Sequence, residues 1–99
     1  MIHVLAIITA EPGKRAALLE AFKAIVPTVH AEAGCIEYGP VIDAPNAEPA
    51  FGQDTFVVVE KWESMAALKA HAAASHMIAY GERTKDLVAK RAVHVLTPA

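Results

Sequence analysis

Residues Thr55–Trp62 read TFVVVEKW, the strongest strand signal in the chain. β-branched and aromatic side chains suit a pleated, half-buried surface, and no helical period runs through them. Alternation puts Phe56, Val58, Glu60 and Trp62 on one face and Val57, Val59 and Lys61 on the other. Both faces carry apolar residues. IHVLAIIT (Ile2–Thr9) behaves the same way, with Ile2, Val4, Ala6 and Ile8 opposite His3, Leu5, Ile7 and Thr9. A sheet with one wet face alternates apolar and polar residues, so these two strands are expected to be covered on both sides.

Between them, EPGKR ends the first strand and opens a helix, with Pro12 expected near its first turn. Leu18, Phe22, Ile25, Val26 and Val29 recur at three- and four-residue steps, and Arg15, Glu20 and Lys23 occupy the other side. Pro27 is expected to kink or split this helix, because it lacks a backbone donor and crowds the preceding turn. Gly34 is a natural terminator. CIEYGPVID (residues 35–43) reads as a second, weaker strand, and residues 44–54, with Pro45, Asn46, Pro49 and Gly52, as a long loop.

Beyond the third strand, Ser64 is a candidate N-cap for a helix from Met65 to about Ala74. Ser75 is a candidate cap for a second helix, His76 to about Ala89, with Met77, Tyr80, Thr84, Leu87 and Val88 as its stripe. AVHVLT (residues 92–97) is a last strand. The order β-α-β-β-α-β, its second crossover helix broken in two, predicts one α+β domain over residues 1–99: a ferredoxin-like antiparallel sheet with helices on one face. The bare face would be apolar, and packing two sheets face to face would cover it. A homodimer is therefore expected.

Composition agrees. Of 99 residues, 55% are hydrophobic, and the mean hydropathy of +0.32 is high for a small monomer. Nine basic and eleven acidic residues, with no basic run, supply no stripe for a phosphate backbone, so nucleic acid is not an expected partner. The single cysteine, Cys35, cannot form an internal disulfide and fits a reducing compartment. The apolar opening has no basic flank and is too short to span a bilayer, which predicts a cytoplasmic protein without a membrane partner. No Gly-rich phosphate loop follows a strand and no G-x-S-x-G occurs.

The histidines carry the chemistry worth weighing. His71 and His76 are five residues apart, about 140° around a continuous helix, and no Asp, Glu or Cys stands at a supporting spacing. They are not read as a metal site, and His76 is read as a surface residue near a helix cap. His71 follows Leu68 by three residues and is expected to face the sheet. It is either a structural histidine bonded to a backbone carbonyl or a base beside Glu60 and Trp62. Cys35 and Tyr38 are read as packing residues.

Four stretches resemble the antibiotic biosynthesis monooxygenase family, near its quinol monooxygenase branch. They are PGKRAALLEAF, EAGCIEY (Glu32–Tyr38), VVEKWESMAALKAH (Val58–His71) and SHM, of which the E-x-W followed nine residues later by His is the most specific. The resemblance implies a dimeric α+β barrel and oxygenation of quinol-like or phenolic substrates with O₂, without metal, flavin or haem. Polyketide-oxidising relatives carry an asparagine where this chain has Glu60 or Val58. Haem-degrading relatives carry an Asn on the first strand and a late helical His, neither of which occurs here. The expectation is a cofactor-independent monooxygenase acting on a small aromatic substrate. His71 is its base, Glu60 orients it, and Trp62, Phe56, Val58, Leu68 and Tyr80 contact substrate. The alternative is a non-catalytic binding or accessory dimer of the same fold.

Overall fold

A computed structural model describes residues 1–99. The elements run β1 (Ile2–Ala10), α1 (Arg15–His30), β2 (Cys35–Val41), β3 (Thr55–Trp62), α2 (Met65–Ala73), α3 (Ser75–Thr84) and β4 (Val88–Leu96). The four strands form one antiparallel sheet in the order β2-β3-β1-β4. This is the ferredoxin-like arrangement, with the second crossover made of two short helices.

The two strands that are apolar on both faces take the centre of the sheet. Their register sets Val4 against Glu60, Ala6 against Val58 and Ile8 against Phe56. Because side chains alternate, one helix-facing surface collects Val4, Ala6, Phe56, Val58 and Trp62. Leu18, Phe22, Ile25 and Val29 of α1 are buried against it and complete the core with Tyr38. The opposite face is left open. On it Leu5 is 38% and Leu96 45% exposed, beside Ile7 and Val59.

Several boundaries differ from expectation. Pro12 lies in the turn before α1, which starts at Arg15. Pro27 neither splits α1 nor ends it. It lies three residues from the last helical residue, on the exposed side; Lys23, whose carbonyl has no N–H from Pro27 to accept, is exposed as well, so water can satisfy that carbonyl. β2 stops at Val41 rather than Asp43. The last helix ends at Thr84 rather than near Ala89, and β4 begins at Val88. There the Glu11 N–H donates to the Leu87 carbonyl (2.8 Å) and Val88 pairs with Ala10, so sheet pairing overrides local helix preference.

The polar corner is placed by two local devices. Ser64 caps α2 as expected, its hydroxyl accepting the Ala67 N–H at 3.2 Å. Gly34 has φ +83°, and a Cβ there would come within 2.6 Å of the Ala67 Cβ. The turn after α1 therefore lies directly against the first turn of α2. No helix is long and apolar enough to cross a membrane.

Candidate active site

Alternation on β3 aims Glu60 and Trp62 at the helices, and the β2 register brings Tyr38 beside Glu60. The Trp62 indole N–H donates to Glu60 Oε1 at 2.9 Å. Burial pushes the Glu60 carboxyl above its ordinary value, and the indole hydrogen bond and the His71 ring partly oppose this. Burial likewise raises the Tyr38 and Tyr80 phenols. The Cys35 thiol is raised by burial and then by the Glu32 and Glu60 charges, which disfavours a nucleophilic thiolate.

α2 carries His71 over this strand surface. Its ring lies 4.6 Å from the Trp62 ring and 5.3 Å from the Tyr38 ring, centroid to centroid. Tyr38 stacks on Phe22 at 5.4 Å. Beside these aromatic rings, His71 is anchored by Glu32, from the turn between α1 and β2. His71 Nδ1 lies 2.9 Å from Glu32 Oε2, and His76 Nε2 lies 2.7 Å from the same oxygen. A carboxylate only accepts, so both rings donate N–H to it. In the neutral ring this is the Nδ1–H tautomer, whose Nε2 keeps a lone pair. No protein group bonds that Nε2, and no buried side-chain nitrogen or oxygen is left unpaired. Nε2 is therefore accessible.

His71 lines a cavity of about 680 Å³ between the sheet and the α2–α3 pair, and Nε2 is the ring nitrogen it leaves unbonded there. His71, Glu60, Phe56, Val58, Leu68 and Tyr80 all line it. Tyr38, read from sequence as packing, lines it as well, and its ring is almost wholly buried. The arrangement suits a flat aromatic molecule: apolar walls, two phenols, the buried Glu60 carboxyl and an imidazole with one unbonded nitrogen, with the exposed Glu82, Lys85, Lys90 and Arg91 also on the lining.

Three sequence expectations need correction. Trp62 does not line the cavity. It is 0% exposed and stands behind His71 and Glu60, because the His71 ring of α2 closes over it. The carboxylate bonded to His71 is Glu32, because Glu60 is turned to the indole. His76 is not a free surface residue near a cap: Ala74 is the N-cap of α3, and the His76 ring is bonded to Glu32. The change of direction at Ala74, with its extended backbone, lets two histidines that would diverge on one continuous helix converge. Glu32 was missed because it is 39 residues from His71 in sequence. Its signs in the sequence are its place at the head of EAGCIEY and its position two residues before Gly34, in the turn between α1 and β2.

Comparisons with known proteins bear on the fold and the family. The chain is 40% identical over 102 residues to "Probable quinol monooxygenase YgiN" of Escherichia coli (strain K12), covering 99% of this chain and 98% of that protein. Among solved structures, PA3566 from Pseudomonas aeruginosa superposes with a TM-score of 0.84 at 28% identity, covering 99% of this chain and 93% of that one. Rv0793 from Mycobacterium tuberculosis gives 0.82 at 27%, covering 99% and 94%. The sequence model described as "Antibiotic biosynthesis monooxygenase" matches residues 1–83, and on that match and the full-length identity the chain belongs to the antibiotic biosynthesis monooxygenase family.

Proposed function

We propose that this protein is a cofactor-independent monooxygenase that oxidises a quinol-like or phenolic compound with O₂, acting as a homodimer. The observation that carries the reading is the anchored imidazole: Glu32 holds the His71 Nδ1–H, and the opposite nitrogen is free at an aromatic cavity. His71 Nε2 takes a hydroxyl proton from the bound substrate, and Glu32 stabilises the imidazolium that forms. The electron-rich anion gives an electron to O₂. Recombination of the two radicals forms a carbon–oxygen bond and a ring hydroperoxide, which expels water and leaves a carbonyl. For a quinol, two oxygen atoms enter, one stays as a new ring oxygen, and the other leaves in water with two substrate hydrogens. The protein's share is a dry pocket, a base and orientation.

Oxygen consumption with menadiol, measured above the autoxidation rate, tests this directly, with ¹⁸O₂ label expected in the product. His71→Ala should lower the rate by about 10²–10⁴-fold, the usual share of a general base. A variant that melts lower yet keeps its activity per folded molecule would make His71 a structural residue and end the catalytic reading.

The homodimer reading is supported by the open sheet face, where Leu5 and Leu96 meet solvent in a single chain. Sedimentation at micromolar concentration should give twice 10.5 kDa, and a stable monomer would remove the dimer from the proposal.

A further inference from the structure

We propose that Glu32, His71 and His76 form a binding site for a divalent transition-metal ion of the zinc class, and that the ion switches the site off. The inference about switching rests on the reading of His71 as base, whereas the inference about binding does not. Two imidazoles and one carboxylate are the donor set that such ions favour. Their donor atoms all lie within 4.8 Å of one another. Glu32 Oε2 is 2.9 Å from His71 Nδ1 and 2.7 Å from His76 Nε2. At the tetrahedral angle usual for zinc, two donors about 2.1 Å from one ion stand about 3.4 Å apart, so the two pairs would open by about 0.5–0.7 Å. The donors also come from three separate segments, the turn after α1, α2 and the start of α3, each held by its own packing. The His76 side chain is 30% exposed, which gives an ion a way in from solvent while His71 is nearly buried.

Binding is incompatible with the hydrogen-bonded arrangement. An ion takes the place of the two N–H protons that now point at Glu32, so each neutral ring must carry its proton on its other nitrogen. For His71 that nitrogen is Nε2, the one that faces the cavity. A ring that accepted a substrate proton becomes one that can only donate. No proton is gained or lost overall, and no redox step occurs. The ion is an inhibitor of the proposed chemistry and not its cofactor.

The test uses the full chain, stripped with EDTA and returned to a non-chelating buffer. Cobalt(II) is titrated while its visible absorption bands are followed, and zinc is then added in competition. The expected result is one equivalent of cobalt per chain, displaced by zinc. Glu32→Gln and His76→Ala should each lose at least about tenfold in affinity, the loss that even an outer-shell change brings. Circular dichroism identifies any variant that fails to fold, and His76→Ala, the more exposed position, stands in if Glu32→Gln does. No cobalt bands up to millimolar concentration, or equal affinity in folded wild type and variants, would overturn the site. Saturating zinc should also suppress menadiol oxidation by the wild type, and EDTA should restore it. Stoichiometric cobalt binding with undiminished oxidation would overturn the switch. Cobalt binding in a protein with no oxidation at all would uphold the site and overturn the reading it was linked to.

Discussion

Glu32 and Glu60 both bond to members of the same ring cluster, His71 and Trp62, and have different surroundings. Glu60 is on a central strand, 6% exposed, with one donor, the Trp62 indole, and burial pushes its carboxyl up. Glu32 is on a turn at the edge of the core and receives two ring N–H groups on one oxygen. The first is a structural acceptor that closes the floor beneath the cavity. The second selects a histidine tautomer and leaves the basic nitrogen facing the cavity. Residue type and proximity to Trp62 favour Glu60 for that task. Hydrogen-bond geometry gives it to Glu32.

The largest effect that could break this contrast is on turnover. Glu32→Gln removes the charge that stabilises the imidazolium and should lower kcat for menadiol by about 10²-fold, within the range of general-base contributions. Glu60→Gln keeps an acceptor for the indole and should change kcat by less than about threefold, a small fraction of that range. Steady-state kinetics on both variants decides the matter, and equal losses would abolish the distinction.

A smaller effect concerns stability. Trp62→Phe leaves the buried Glu60 carboxyl without its donor and should cost about 1–3 kcal/mol in denaturant unfolding. Since Trp62 is not on the cavity wall, KM should move little. A large rise in KM with unchanged stability would put Trp62 back against the substrate.

The smallest effect is in pH dependence. The Glu60 carboxyl binds its proton more tightly in the folded chain than in the unfolded one, where it titrates near 4.5. The folded state therefore holds more protons between those two values. Its contribution to stability is greatest below the unfolded value and declines as pH rises through the folded one. Glu60→Gln should flatten that decline and melt no lower than the wild type at neutral pH. Melting temperatures followed from acid to neutrality give the slope, and an unchanged slope would mean that Glu60 does not titrate there.

Local chemistry accounts for much of what was legible in the chain. Thr55–Trp62 reads as a strand and is one with the same ends, since six of its eight residues are β-branched or aromatic and leave no helical period to compete. Apolar residues on both faces of β1 and β3 mark them as the central pair. The α1 stripe, the Ser64 cap and the ferredoxin-like order were likewise readable, because each depends on neighbours within a few residues. Five residues expected at the site besides His71 line the cavity: Glu60, Phe56, Val58, Leu68 and Tyr80.

Tertiary structure decided the rest. Leu87 and Val88 fit a helical stripe, yet a backbone bond from Glu11 holds Leu87 in a turn and pairing with Ala10 draws Val88 into the sheet. Trp62 shares a strand face with cavity residues, but the ring laid over it by α2 decides whether it meets the cavity. His71 and His76 diverge on an unbroken helix and converge only because the chain turns at Ala74. Glu32 joins them from 39 residues away because Gly34 permits the close approach of its turn to α2. Side-chain periodicity belongs to one segment at a time, whereas a hydrogen bond between segments depends on how they pack, so the sequence by itself determined the scaffold and only the fold assembled the polar corner.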